Sequence, residues 1–207
     1  MRKKRSPKAK EIIKFRKLLN DKSHRGDKIK LHVGCGNNYY EDWINIDKNE
    51  DNKIQRIDIV WDMNDELPIK DNSVDFIYNE HFIEHLTADQ GIRLMKDFYR
   101  VLKPGGVLRI ATPDLDYIIF RYIFFWRRQE WIDKYGFSWV KSNAELINIC
   151  FRSWGHQYLY NGKELKRRLY ESGFSKLRRE SLYKSKLPDL MNLETRKESD
   201  LIIEAIK

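Results

Sequence analysis

The chain has 207 residues, 41% apolar, 13% aromatic and 34% charged, which suits one folded domain with a full hydrophobic core and excludes a disordered or collagen-like chain. Its two cysteines, Cys35 and Cys150, have no paired spacing, which excludes a disulfide framework and a cysteine zinc site and points to a reducing, cytoplasmic setting. The net charge of +9 is divided into 13 Lys/Arg against 3 Asp/Glu in residues 1–30, 4 against 14 in 31–90 and 23 against 14 in 91–207, so basicity alone makes no case for nucleic acid.

Residues 1–29 read as a basic tail (Arg2, Lys3, Lys4, Arg5) and a short amphipathic helix, with Ile12, Phe15, Leu18 and Leu19 at helical spacing up to about residue 20. From residue 30 strands and helices alternate. KIKLHVGCG is a strand entering a glycine turn, WINID a second strand ending in Asp47, IQRIDIVWDM a third and VDFIYN a fourth. Thr87 and Gln90 form a capping-box pair opening a helix whose Ile92, Met95, Phe98 or Tyr99, and Leu102 share a face. LKPGG stops that helix, and VLRIATP is a fifth strand. After Pro113 the rhythm changes: DYIIFRYIFFWRRQEWIDKYGFSW is apolar on nearly every face. Asn161 and Glu164 cap a further helix ended by Gly173, and KLRRESLYKS and DLIIEAIK are the last strands. This alternation indicates an α/β domain built on a parallel sheet.

The stretch LHVGCGNNYYEDWINID carries the first chemistry. Gly34 and Gly36 let the backbone turn sharply and bring a ligand against the main chain, and Asp47 is placed to accept hydrogen bonds from a ribose diol. A dinucleotide fingerprint has a third glycine and an acid about 20 residues on; here Asn37-Asn38-Tyr39 follows, and Asp47 lies 11 residues past Gly36. Nicotinamide and flavin are therefore disfavoured. The six residues 37–42 are also too few for a crossover helix, so a turn or loop is expected there.

LHVGCG, Asp47, WDMNDELPIKDNSVDFIYNEHFIEHL and RVLKPGGVLRIATPD, in this order, resemble the class I S-adenosylmethionine-dependent methyltransferase family. The likeness is clear over residues 30–113 and fainter over GHQYLYNGKELKRRLYESGF and SDLIIEAIK. It implies a Rossmann-like, doubly wound, mostly parallel sheet of about seven strands with helices on both faces. Residues 30–207 would then be one methyltransferase domain, with 114–160 an insertion forming a lid over the acceptor. It further implies that Gly34, Cys35 and Gly36 line the methionine and ribose of S-adenosylmethionine, that Asp47 holds the ribose hydroxyls, that Asp62 and Met63 meet the adenine, and that Asn79 faces the methionine end. The product would be S-adenosylhomocysteine.

His81 is the first candidate for a catalytic base facing the acceptor, with His85, Asp114 and His156 behind it. His81-Phe82-Ile83-Glu84-His85 also spells H-x-x-E-H, a zinc-ligand pattern when both histidines share a helix face. Here the segment leaves a strand and the capped helix begins only near Thr87, so no metal is expected. The implied acceptor is a hydroxyl or amine of a small molecule or glycan, anionic if Arg127-Arg128, Arg167-Arg168 and Arg178-Arg179 converge on it. Nucleic acid is disfavoured, and no oligomeric state is indicated. The segment 117–126 reads as core or lid, with a transient membrane-surface contact flanked by Arg127 and Arg128 as the alternative. An RNA or protein methyltransferase using the basic tail, and a non-catalytic cofactor-binding module, are the competing functions.

Overall fold

The computed structural model describes residues 7–48, 53–125 and 130–207. The basic tail at residues 2–5 and the pair Arg127-Arg128 lie outside the described residues. Strands β1 (Lys30–Val33), β2 (Ile44–Asp47), β3 (Ile59–Val60), β4 (Val74–Glu80), β5 (Leu102–Thr112), β6 (Lys176–Glu180) and β7 (Leu201–Ile206) form one sheet in the order β3-β2-β1-β4-β5-β7-β6. The ladders from β3 to β5 are parallel, and β7 runs antiparallel to both β5 and β6. The helices are α1 (Pro7–His24), α2 (Ala88–Val101), α3 (Leu115–Phe124), α4 (Glu130–Lys134), α5 (Asn143–Arg152) and α6 (Gly162–Glu171).

Side chains alternate across the strands, and the two faces differ in chemistry. Leu31, Val33, Ile44, Ile46, Ile77, Leu108, Ile110, Ile203 and Ala205 join one apolar cluster with Phe15 of α1, Leu94, Met95 and Phe98 of α2, and Leu165 and Leu169 of α6. The opposite face carries Phe76, Tyr78, Val107, Ala111 and Ile202, covered by Tyr40, Trp43, Leu182, Leu187, Leu190 and Leu193. His32, Asn45, Arg109 and Glu204 are buried on that side. Helices expected on both faces are thus found on one. Among the described residues the second face is covered by loops and a single 3-10 turn, Pro188–Leu190. That face is polar: Arg109 pairs with Glu194 at 2.6 Å and Glu204 at 2.8 Å, all three side chains fully buried. A loop can supply such a carboxylate where an apolar helix face would leave the guanidinium unpaired.

Several elements differ from the sequence reading in extent. α1 starts at Pro7 and runs to His24. It is docked by Phe15, by Glu11 accepting from the Val60 amide at 3.0 Å, and by a Lys8–Asp65 ion pair. The buried stripe of α2 is Gly91, Leu94, Met95, Phe98 and Val101; Met95 and Phe98 are as expected, while Gly91, with the Tyr160 hydroxyl close against it, takes the place expected for Ile92. The Thr87–Gln90 capping box is present. The third strand is only two residues long, and LKPGG belongs to β5. No helix lies between β1 and β2, as the short connection required. α3 and α5 pack against each other after β5, and no helix among the described residues is long and apolar enough to cross a membrane.

Candidate functional site

The carboxyl ends of β1 to β4 open on a cleft of about 720 Å³, the position where open α/β sheets bind ligands. Its floor is the turn after β1. The amides of Gly34 and Cys35 both donate to the Ile46 carbonyl, at 2.9 and 3.2 Å, which ties the turn to β2. Gly34 and Gly36 have φ of 72° and 50°, a region costly for other residues. A Cβ on Gly34 would sit 2.4 Å from the Phe82 ring, whereas one on Gly36 would meet nothing within 4 Å. Gly34 is thus needed for packing, and Gly36 leaves bare backbone. Asp47 closes the arrangement, accepting from the Gly36 amide at 2.9 Å and the Lys48 amide at 2.6 Å.

The cleft brings together Gly34, Cys35, Gly36, Asp47, Asp62, Met63 and His81. Cys35 is buried, and burial, with Asp47 nearby, pushes its thiol up to about 12. Asp62 accepts from the Asn64 amide at 2.9 Å and faces Lys48 Nζ at 3.4 Å. Partial burial raises its pKa, but these two partners outweigh that and leave the carboxyl below its ordinary value. Asn79 does not line the cleft. Pleating turns it into the sheet, where it is fully buried and donates to the Val33 carbonyl at 3.2 Å. It supports the glycine turn from beneath, and its neighbours Glu80 and His81 reach the cleft instead.

His81 occupies a turn with φ 46°, its amide donating to the Ala111 carbonyl at 2.9 Å. Its Nδ1 lies 3.2 Å from Glu84 Oε1, and its buried Nε2 has no hydrogen-bond partner among the described residues. Glu84 is fully buried and accepts from the Thr112 hydroxyl at 3.0 Å. Burial raises its pKa, but the His81 and His85 rings outweigh this and hold the carboxyl below its ordinary value. His85 ends the 3-10 turn Ile83–His85, so the two histidines share no helix.

A second cavity, of about 680 Å³, adjoins the cleft. Tyr117, Ile118 and Arg121 of α3, Tyr135, Cys150 of α5, Trp154 and His156 line it with Arg196, Lys197, Glu198 and Asp200. His81, His85 and Arg196 belong to both spaces. Asp114 is drawn off elsewhere: it caps α3 and pairs with Arg179 at 2.7 Å. Arg167 and Arg168 both pair with Glu164 on α6, and neither this doublet nor Arg178-Arg179 lines either space.

Sequence reasoning missed Glu80 and the segment it holds. This buried carboxylate accepts from the Thr195 amide and hydroxyl, the Arg196 amide and the Ser199 hydroxyl at 2.7–3.1 Å, which places Arg196 at the junction of the two spaces. The partners are 115 residues or more apart, so no local pattern joins them.

Residues 31–110 match the family model described as a methyltransferase domain. A protein of Mycolicibacterium smegmatis described as "Probable S-adenosylmethionine-dependent methyltransferase" is 36% identical over 98 residues, 41% of this chain and 37% of that protein. One of Mycobacterium tuberculosis (strain H37Rv) with the same description is 33% identical over 98 residues, 41% and 35% of the two chains. The match thus spans little more than a third of these curated relatives. Among solved structures, a SAM-dependent methyltransferase from Archaeoglobus fulgidus superposes with TM-score 0.57 at 17% identity, covering 95% of this chain and 94% of the other. An S-adenosylmethionine-dependent methyltransferase from Mesorhizobium loti gives 0.53 at 16% identity, covering 86% and 90%. These two establish the likeness of fold.

Proposed function

We propose, from the premise that this chain belongs to the class I S-adenosylmethionine-dependent methyltransferase family, that it methylates a hydroxyl or amine of a small molecule or glycan. The observation carrying this reading is the meeting of two spaces at one wall, His81 and His85. S-adenosylmethionine fits the cleft: Gly36 bares its backbone, Asp47 stands at the tip of β2 for the ribose, and the buried Trp61 Nε1 lacks a hydrogen-bond partner among the described residues. When bound, it supplies an electrophilic methyl group on a sulfonium. The acceptor belongs in the second cavity, where Tyr117, Tyr135 and Trp154 form aromatic walls and Arg196 and Lys197 suit an anionic substituent.

The residues would act chiefly by placement. Holding donor and acceptor in line can supply about 7–11 kcal/mol of a bimolecular barrier. His81 Nε2, at the shared wall, is positioned to take a proton from the acceptor. Incubation with labelled S-adenosylmethionine and pooled glycans, metabolites and RNA should yield S-adenosylhomocysteine with a glycan or metabolite acceptor; turnover with RNA alone would replace this reading. Asp47→Ala should weaken S-adenosylhomocysteine binding by about 1.5–3 kcal/mol, the usual contribution of a charge-assisted hydrogen bond. Unchanged affinity by calorimetry would remove Asp47 from the cofactor site.

A further inference from the structure

The H-x-x-E-H string fails as a helical zinc motif, yet the fold supplies what the string lacks. His156, 71 residues beyond His85 in sequence, is brought back beside it, the two rings 5.0 Å apart and steeply inclined. One ligand atom from each of Glu84, His85 and His156 lies within 4.8 Å of the others. We propose that these three residues form a binding site for a divalent transition cation of the zinc class, on the wall of the second cavity.

The histidine rings are held from behind. A metal-binding imidazole commonly donates its other nitrogen to a carbonyl or carboxylate, which fixes the tautomer. His156 Nδ1 lies 2.7 Å from the Cys150 carbonyl; that oxygen can only accept, so Nδ1 carries the proton and Nε2 presents a lone pair. His85 sets its Nδ1 edge beside Gly155, 3.7 Å from where a Cβ on that glycine would stand. Glu84 is anchored through Oε2 by Thr112, while Oε1 is buried with the His81 Nδ1 edge 3.2 Å away, a contact that uses one of its lone pairs and leaves another for a cation.

The backbone around His156 is shaped to deliver it. Trp154 and Gly155 have φ of 58° and 82°, and a left-handed conformation at a bulky residue persists only where surrounding structure holds it. The Gln157 and Tyr158 amides then donate to the Glu84 carbonyl at 2.8 and 3.1 Å, which fastens the segment bearing His156 to the turn bearing the other two ligands.

Two imidazoles and one carboxylate suit zinc and its neighbours, whereas magnesium and calcium prefer oxygen. Ligand atoms on tetrahedral zinc sit roughly 3.3–3.5 Å apart at bond lengths near 2.0–2.2 Å, so the triad has at most about 1.5 Å to close. Three ligands leave coordination open. His85 and His156 line the second cavity, so the open position faces the acceptor; resting on the function proposed above, this favours an acceptor that offers a hydroxyl oxygen to the cation.

The test uses the untagged full chain, stripped with chelator and titrated with Zn²⁺ by calorimetry and with Co²⁺ by visible absorption. We expect one equivalent of each and a cobalt ligand-field band. His85→Gln and His156→Gln should weaken binding at least about 10–100-fold, the loss usual even for an outer partner. Their melting curves establish folding, and His156→Gln, outside the cofactor cleft, should keep S-adenosylhomocysteine affinity. No stoichiometric cation in the wild type, or equal retention by both folded variants, would overturn the proposal. Failure to bind S-adenosylhomocysteine with the cation site intact would instead sink only the functional reading.

Discussion

Gly34 shows how much one missing side chain can position. The Phe82 ring fills the place of its Cβ, and Phe82 follows His81 directly, so the glycine turn and the histidine wall set each other's location. Gly34→Ala should therefore lower the unfolding midpoint, by about 1–3 kcal/mol from overpacking and a disallowed φ together, and should disturb cofactor affinity as well. Chemical denaturation checks the first effect; a variant as stable as wild type would show that Phe82 can move aside without consequence. The same substitution at Gly36 meets only open space and tests the backbone strain alone.

At the scale of elements, what the sequence disclosed and what it hid divide by distance along the chain. Gly34, Gly36, Asp47 and Asp62 were readable because each sits at a strand end with a local signature, either a glycine turn or an acid at a strand tip. The absent first helix was readable from the count of residues between two strands. The one-sided helical layer was not, because the partners of Arg109 come from Glu194 and Glu204, and nothing local announces a carboxylate 85 residues on. The meeting of His156 with His85, and the segment held by Glu80, were hidden for the same reason. Glu80 gives the sharpest element-scale expectation: Glu80→Ala removes the acceptor for two amides and two hydroxyls. It should cost roughly 1.5–3 kcal/mol and release the Thr195–Ser199 segment. Hydrogen exchange should quicken at the Thr195 and Arg196 amides; unchanged protection there would mean that other contacts hold the segment.

For the whole molecule, the polar face makes stability depend on pH. His32 is 2% exposed on that face, stacked near Tyr40 and Tyr78, and burial lowers its pKa to about 4 despite the Asn45 hydrogen bond. The unfolded chain takes up this proton near pH 6.5, while the folded chain resists it until about pH 4. Stability therefore falls as pH drops through that window, by about 3 kcal/mol from this residue. The stability of wild type relative to His32→Gln in urea should fall by most of this amount between pH 7 and pH 4.5. A difference that stays constant would mean that His32 charges without penalty inside the fold.

The strand order carries one more consequence, for biosynthesis. Among the described residues β6 has no ladder partner except β7, which is translated after it and then slips between β5 and β6. A nascent chain can pair β1 to β5 in turn, but it must keep residues 176–180 waiting until residues 201–206 leave the ribosome. Both strands then dock together, and Arg109 gains Glu204 in the same step. The parallel half of the domain can thus form ahead of the buried ion cluster, whose completion waits for β7.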